Sequence, residues 1–277
     1  MRSLRLVLAC SLLLVLGGLS VVDRASAGTS EFIVRCFRFD HALPDDPIVS
    51  PGQPGASHLH TFTGNRTTDA DSTFRTMVGR RTTCELAQDT SAYWVPALLD
   101  REGRWVQARQ IKVYYRGSGV TPFPRDLRMI AGYPTVPVGT DKVVGWSCGA
   151  PTSLEPSPPD CGSGDVYAHI FFPSCWDGTR TDSRDHRSHV VYPSPMPNGP
   201  RCPRDHPVRV PMIRLSIHYD VSSGAGLRLS SDEMFGTKPG GSLHADFWNT
   251  WVQSALRRLV EVCLNQGQDC GQVTSVP

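Results

Sequence analysis

Cysteines constrain this chain more than any other feature. Nine occur, and eight of them (Cys36, Cys84, Cys148, Cys161, Cys175, Cys202, Cys263 and Cys270) are spread over most of its length. The ninth, Cys10, lies in a leader that begins with Arg2 and Arg5, continues almost unbroken and apolar from Leu6 to Val22, and ends at Ala25-Ser26-Ala27, an A-x-A cleavage box. The apolar run is short for a membrane span and carries the flank of a cleaved signal. Residues 1–27 are therefore expected to be removed, leaving 28–277 as a single secreted, extracellular domain. In an exported chain an even number of cysteines points to disulfides. Eight cysteines allow about 105 pairings, so connectivity stays open, with sequential pairing the simplest arrangement and Cys263 with Cys270 its most local member. A cysteine zinc site is disfavoured, because no Cys-x-x-Cys occurs.

What the bridges would hold is mostly β. Phe32–Phe37, Ala92–Leu99, Ile111–Arg116, Val143–Cys148, Val166–Pro173 and Met212–Asp220 are rich in β-branched and aromatic residues. Glu102-Gly103 marks a turn that would make Ala92–Leu99 and Ile111–Arg116 a hairpin. The unbroken apolar character of Val166–Pro173 predicts burial on both faces. In Met212–Asp220, Ile213, Leu215, Ile217 and Tyr219 share one side, while Arg214, Ser216, His218 and Asp220 share the other, which faces solvent or a cleft. The 23 prolines and 25 glycines call for long loops between strands. Pro44 to Pro54 is such a loop, since each proline fixes its own φ and pushes its predecessor out of the helical region. One amphipathic helix is expected after Asp246, where Trp248, Trp251, Val252, Ala255, Leu256, Leu259, Val260, Cys263 and Leu264 recur at helical spacing and Asp246 could cap the start. The expected architecture is a sandwich or jelly-roll-like domain with long loops and that C-terminal helix.

Charge removes several classes of function. Of 28 basic and 26 acidic residues, the leader takes Arg2, Arg5, Arg24 and Asp23, so 25 of each sign remain and the net charge is near zero. The basic residues are scattered among acids, which leaves no electrostatic footprint for nucleic acid and no polybasic patch for a membrane. A monomer is expected. Neither a Gly-x-Ser-x-Gly elbow nor a glycine-rich phosphate loop nor a dinucleotide fingerprint occurs.

Histidines mark a candidate site. Five of the nine fall in three short runs: Ser57-His58-Leu59-His60, Asp185-His186-Arg187-Ser188-His189 and Ser242-Leu243-His244-Ala245-Asp246. If Ser57–Phe62 is extended, His58 and His60 share a face with imidazoles about 6–7 Å apart, fit to hold one metal ion or one anionic group. His58 and His60 are the metal-ligand candidates, joined by one or both of His189 and His244 and by Asp246, and the ligand types suit a single zinc or copper ion. Without metal, a histidine tuned by a carboxylate can move a proton, which makes His189, His244 and Asp246 the catalytic candidates. Paired carboxylates from Asp177, Asp182, Asp185, Asp232 and Glu233 are a further reading. Tyr93, Trp94, Trp176 and Asp177 are candidates for binding a sugar substrate. Asn65-Arg66-Thr67 is a glycosylation sequon.

Several runs together resemble the DUF1996 family of exported bacterial and fungal proteins: Asp46-Pro47-Ile48-Val49, Ser57 to His60, Asp89 to Leu98, Phe171 to Gly178, Asp185 to Pro193 and His244 to Phe247. The resemblance implies no settled activity. Its fungal members include some with appended carbohydrate-binding modules, which implies extracellular polysaccharide or cell wall as the setting. The expectation is a secreted protein acting on or binding polysaccharide through a histidine-rich cleft, as hydrolase or lyase; the alternative is a non-catalytic metal-binding or wall-associated protein.

Overall fold

The computed structural model describes residues 30–135, 143–194 and 201–277; the expected leader lies outside them. Two sheets carry most of the architecture. The six-stranded sheet runs in the order Gly271–Gln272, Glu31–Cys36, Ala108–Arg116, Met212–Tyr219, Tyr167–Phe171, Val144–Ser147. Its pairings are antiparallel except for Gly271–Gln272, which lies parallel to Glu31–Cys36. The five-stranded sheet is antiparallel throughout, in the order His41–Leu43, His60–Gly64, Ala92–Pro96, Ala245–Trp248, Arg128–Ala131.

Alternation decides which side of each sheet is dry. In Glu31–Cys36, Phe32, Val34 and Cys36 are buried while their neighbours are partly exposed, and Ile111, Val113 and Tyr115 repeat the pattern in Ala108–Arg116. These residues, with Ile213, Leu215, Ile217 and Tyr219, join Tyr93, Val95, Met129, Ala131, Ala245 and Phe247 of the other sheet in one apolar cluster. Both sheets thus commit one face to a shared core. Burial of this extent stabilises by roughly 25 cal/mol per Å² of apolar surface removed from water. On its other face the five-stranded sheet has a smaller cluster, Ile48, Phe62, Met77, Ala92, Trp94, Ile130 and Trp248, under the loop that follows Leu43. His60 and Asp246 lie on that face.

The cysteines pair sequentially: Cys36–Cys84, Cys148–Cys161, Cys175–Cys202 and Cys263–Cys270. Other sequence expectations need correction. Ala92–Leu99 and Ile111–Arg116 form no hairpin, because Ala92–Pro96 pairs with His60–Gly64 and Ala245–Trp248 while Ala108–Arg116 belongs to the other sheet. The helix starts later than its periodicity predicts. Ala245–Trp248 is a strand buried along its length between two partners, so Asp246 caps nothing, and the α-helix spans Gln253–Leu259 before widening into a π-turn over Val260–Asn265. Apolar spacing alone does not separate a central strand followed by a helix from one longer helix. Tyr167 and Phe171, at the ends of their strand, are only partly buried. The Asn65 sequon is closed in the folded state: Asn65 is fully buried and its amide donates to the carbonyls of Met77 (2.8 Å) and Thr90 (2.7 Å). No helix among the described residues is long and apolar enough to cross a membrane.

Candidate metal centre

The loop after Leu43 is built to present histidines. Its prolines bar regular structure, so aspartates tie it instead. Asp46 accepts from the backbone N–H groups of Ile48 and Val49, both at 3.0 Å, and Asp45 from those of Gly55 (2.9 Å) and Ala70 (3.1 Å). The loop closes where Ser57 N–H meets the Pro44 carbonyl at 3.0 Å. The Asp45 carbonyl then takes a hydrogen bond from His60 Nδ1 at 2.8 Å. His60 opens its strand, in register with Leu43 and Pro96. The strand begins at His60 rather than Ser57, so His58 sits on the preceding turn and its ring centroid comes to 4.1 Å from that of His60.

His244 arrives from the other end of the chain. Asp232 receives the N–H groups of Leu229 (2.7 Å), Gly240 (2.8 Å) and Ser242 (3.1 Å), and the Ser242 hydroxyl at 2.7 Å. That fixes the backbone leading into His244, whose Nδ1 donates to the Ser242 carbonyl at 2.7 Å. Gly132 makes room, since a Cβ there would stand 2.9 Å from the Leu243 carbonyl oxygen at a φ of +79°. Two residues on, the alternation of the strand keeps Asp246 on the same face, opposite Trp94 and Ile130.

The three imidazoles converge. His58 and His244 centroids lie 5.1 Å apart and His60 and His244 5.9 Å, with Phe235 edge-on at 6.1 and 6.2 Å from His58 and His244. One potential ligand atom from each of His58, His60 and His244 falls within 4.8 Å of the others, and so do atoms from Asp46, His60 and Asp246. A carbonyl oxygen can only accept, so Nδ1 of His60 and of His244 carries the proton and, in the neutral ring, Nε2 keeps its lone pair. Backbone carbonyls orient ligating histidines in this way. His60 Nε2, His58 Nε2 and both oxygens of Asp246 are buried with no hydrogen-bond partner among the described residues.

Electrostatics favours neutral nitrogen. Burial drives the pKa of His58 down to about 4 and that of His244 down to about 3. It holds His60 well below its ordinary range, and neighbouring His58 and His244 add to the effect. Burial, reinforced by Asp46 and opposed by Arg187, pushes the Asp246 carboxyl well above its usual range. A carboxyl, three imidazole nitrogens and no counter-charge in contact is a costly set to bury. It becomes favourable around a cation, so His58, His60 and His244 could hold a metal ion.

Other candidates are placed differently. His189 is no part of the centre: its Nε2 donates to the Arg128 carbonyl at 2.6 Å and its Nδ1 meets the Ser183 hydroxyl at 2.9 Å, which occupies both nitrogens. Tyr93 and Trp94 are fully buried and offer no sugar platform. Trp176 donates its ring N–H to the Arg180 carbonyl at 2.6 Å, and Asp177 is tied to Thr179 N–H at 2.8 Å and Arg180 Nε at 2.6 Å. Asp232, in the carboxylate stock for glycoside cleavage, is spent on its loop, and Asp185 on the N–H groups of Arg187 (3.2 Å) and Ser188 (2.9 Å). That turn, with His186 left-handed at φ +56°, reverses the sense of the Asp185–His189 run. Arg187 consequently acts electrostatically on His244 and Asp246, and His186 on Asp46. Sequence reasoning missed Asp46 as a member of the site and Arg187 as a charge acting on it. Both stand within runs quoted for the family resemblance, where Asp46-Pro47 reads as an ordinary turn.

A family model described as a domain of unknown function, DUF1996, matches residues 46–251. No curated protein and no solved structure matches the chain.

Proposed function

Because the chain belongs to the DUF1996 family, whose description carries no activity, we propose a function from the residues themselves: an exported protein with a single zinc centre at His58, His60 and His244, working on extracellular polysaccharide. The observation that carries the metal is the convergence of buried histidine nitrogens beside a carboxyl with two unpartnered oxygens. Nitrogen and oxygen donors suit zinc, and copper is the alternative because affinity alone ranks it higher. Three protein nitrogens leave a fourth position for water, so a bound ion would supply a Lewis acid and an activated water for hydrolysis or elimination. Asp246 would serve as fourth ligand or as proton acceptor. The four disulfides support an oxidising, extracellular setting. Polysaccharide as the substrate is supported by the family resemblance, without the stacking surface expected from Tyr93 and Trp94.

The second reading is a closed, non-catalytic metal site, favoured by the complete burial of His60 and the near-complete burial of Asp246. Elemental analysis of the mature protein prepared without a histidine tag should find about one zinc per chain. Absence of metal, together with no uptake on titration with zinc or copper, would refute the centre. A glycan screen scoring release and retention separately then distinguishes the readings. Release lost in His58→Ala with an unchanged circular dichroism spectrum supports catalysis, whereas no release from any glycan by metal-loaded protein supports the closed site.

A further inference from the structure

The six-stranded sheet carries a second constellation, on the face turned away from the shared core. Register places Arg214 beside Tyr114 and Phe171, Ser216 beside Lys112 and His169, and His218 beside Gln110 and Tyr167. Cross-strand partners share a face, so these side chains form a grid opposite Ile213, Leu215 and Ile217. All of the grid except Phe171, with Gly149 to Pro151 along one edge, lines a cavity of about 280 Å³.

Two histidines of the grid are engaged by neighbours. His169 is held at both ends, by the Ser216 hydroxyl on Nδ1 and the Ser147 hydroxyl on Nε2, each at 2.9 Å. His218 Nε2 meets Asp165 at 2.7 Å, and Tyr167 stacks on the His218 ring at 4.4 Å and 9°. Arg214 is different. It is 7 % exposed, its guanidinium lies 3.7 Å over the Tyr114 ring, and its buried Nε has no hydrogen-bond partner among the described residues. Glu31 is engaged with Arg116 and Asp165 with His218, and among the described residues no carboxylate lies within ion-pair distance of Arg214 or Lys112. A buried guanidinium without a counter-ion is unfavourable. Here Tyr114 is its immediate partner and Glu31 attracts it without reaching ion-pair distance, while the side chain lines the cavity.

We infer that this cavity binds a carboxylate-bearing sugar residue, a uronate. A planar guanidinium pairs with a carboxylate through parallel hydrogen bonds, and Lys112 adds a second cation on the same face. Gln110 and Ser216, which line the same cavity, offer hydrogen bonds to the hydroxyls of a sugar. At about 280 Å³ the cavity falls just below the roughly 300–1,000 Å³ of pockets that hold drug-sized ligands, which suits one sugar unit of a chain. The site shares no residue with the histidine centre and needs neither metal nor cleavage.

The test is calorimetric titration of the mature protein with a galacturonate trimer, a galactose trimer and sulfate. The uronate trimer should bind at least tenfold more tightly than either of the others, and chelator treatment should leave that affinity unchanged. Arg214→Gln should weaken it by tenfold or more and Lys112→Gln by about threefold. No binding of the uronate, equal binding of the neutral trimer, or equal competition by sulfate would overturn the assignment. So would unchanged affinity in a folded Arg214→Gln protein. Should that variant fail to fold, unchanged affinity in Lys112→Gln would overturn it equally.

Discussion

His60 and Arg214 both stand on outward faces of their sheets and both are buried, yet the surroundings treat them in opposite ways. Around His60, two more imidazoles and two carboxyl groups crowd together under a loop tied by Asp45 and Asp46, and burial keeps the rings neutral. Around Arg214 the groove stays open, acids nearby are already paired, and a guanidinium cannot shed its proton. The first arrangement offers lone pairs and lacks a cation. The second offers a cation and lacks an anion. In each, the unmet need of a buried polar group identifies the class of ligand, which burial alone would not do.

The sharpest way to separate the two regions is to damage one and measure both. Replacing His60 or His244 by alanine should lower zinc affinity by about a hundredfold or more, given that even outer-shell partners of metal ligands matter by 10–100-fold. Uronate binding should not change. Loss of both activities in a folded variant would show that the sites are coupled through the shared core and are not independent.

Next in size is the Cys148–Cys161 bridge, which spans 13 residues and borders the groove through Gly149 to Pro151. Replacing both cysteines by serine should cost about 3 kcal/mol in chemical denaturation and weaken uronate binding several-fold while leaving zinc affinity unaltered. An equal loss at the histidine centre would mean that the bridge supports the whole fold.

Acid should distinguish the sites most gently. In the metal-free protein the folded pKa values of His58 and His244 are depressed to about 4 and about 3, so these histidines contribute stability that is present above about pH 6.5. It is lost as pH falls from there toward those values, because the unfolded chain takes up protons the folded one refuses. For the buried His244 the slope is about 1 kcal/mol per pH unit. Proton competition should release zinc from the folded protein only near and below about pH 4, where the folded rings protonate. Denaturation midpoints that stay flat between pH 6.5 and 4 would mean that the rings are more hydrated than their burial indicates.

Much of the scaffold is legible in the sequence because strand alternation is a local signal. The inward sets Phe32, Val34 and Cys36 and Ile213, Leu215, Ile217 and Tyr219 follow from period-2 spacing alone, as does the outward set containing Arg214. His58 and His60 do come together as their spacing suggests, although a turn and not a strand carries His58. The expectation for His189 fails for the converse reason. Asp185 captures the backbone N–H groups of Arg187 and Ser188 and His186 turns left-handed, so proximity in sequence ceases to indicate direction in space. Tyr93 and Trp94 have the composition of a sugar platform, but they occupy a central strand covered on both sides, Tyr93 by the main core and Trp94 by the smaller cluster.

By itself the sequence determined that this chain is β-rich, bridged by an even set of cysteines, and unusually concentrated in histidine at three places. Those are properties of composition and short spacing, which need no knowledge of distant neighbours. Only the tertiary structure decided that His244 joins His58 and His60, that Arg187 and not His189 acts electrostatically on His244, and that no carboxylate among the described residues lies within ion-pair distance of Arg214. Such facts depend on strand register and loop closure between residues far apart in the chain. Whether a buried polar group is satisfied is settled by what folding brings next to it.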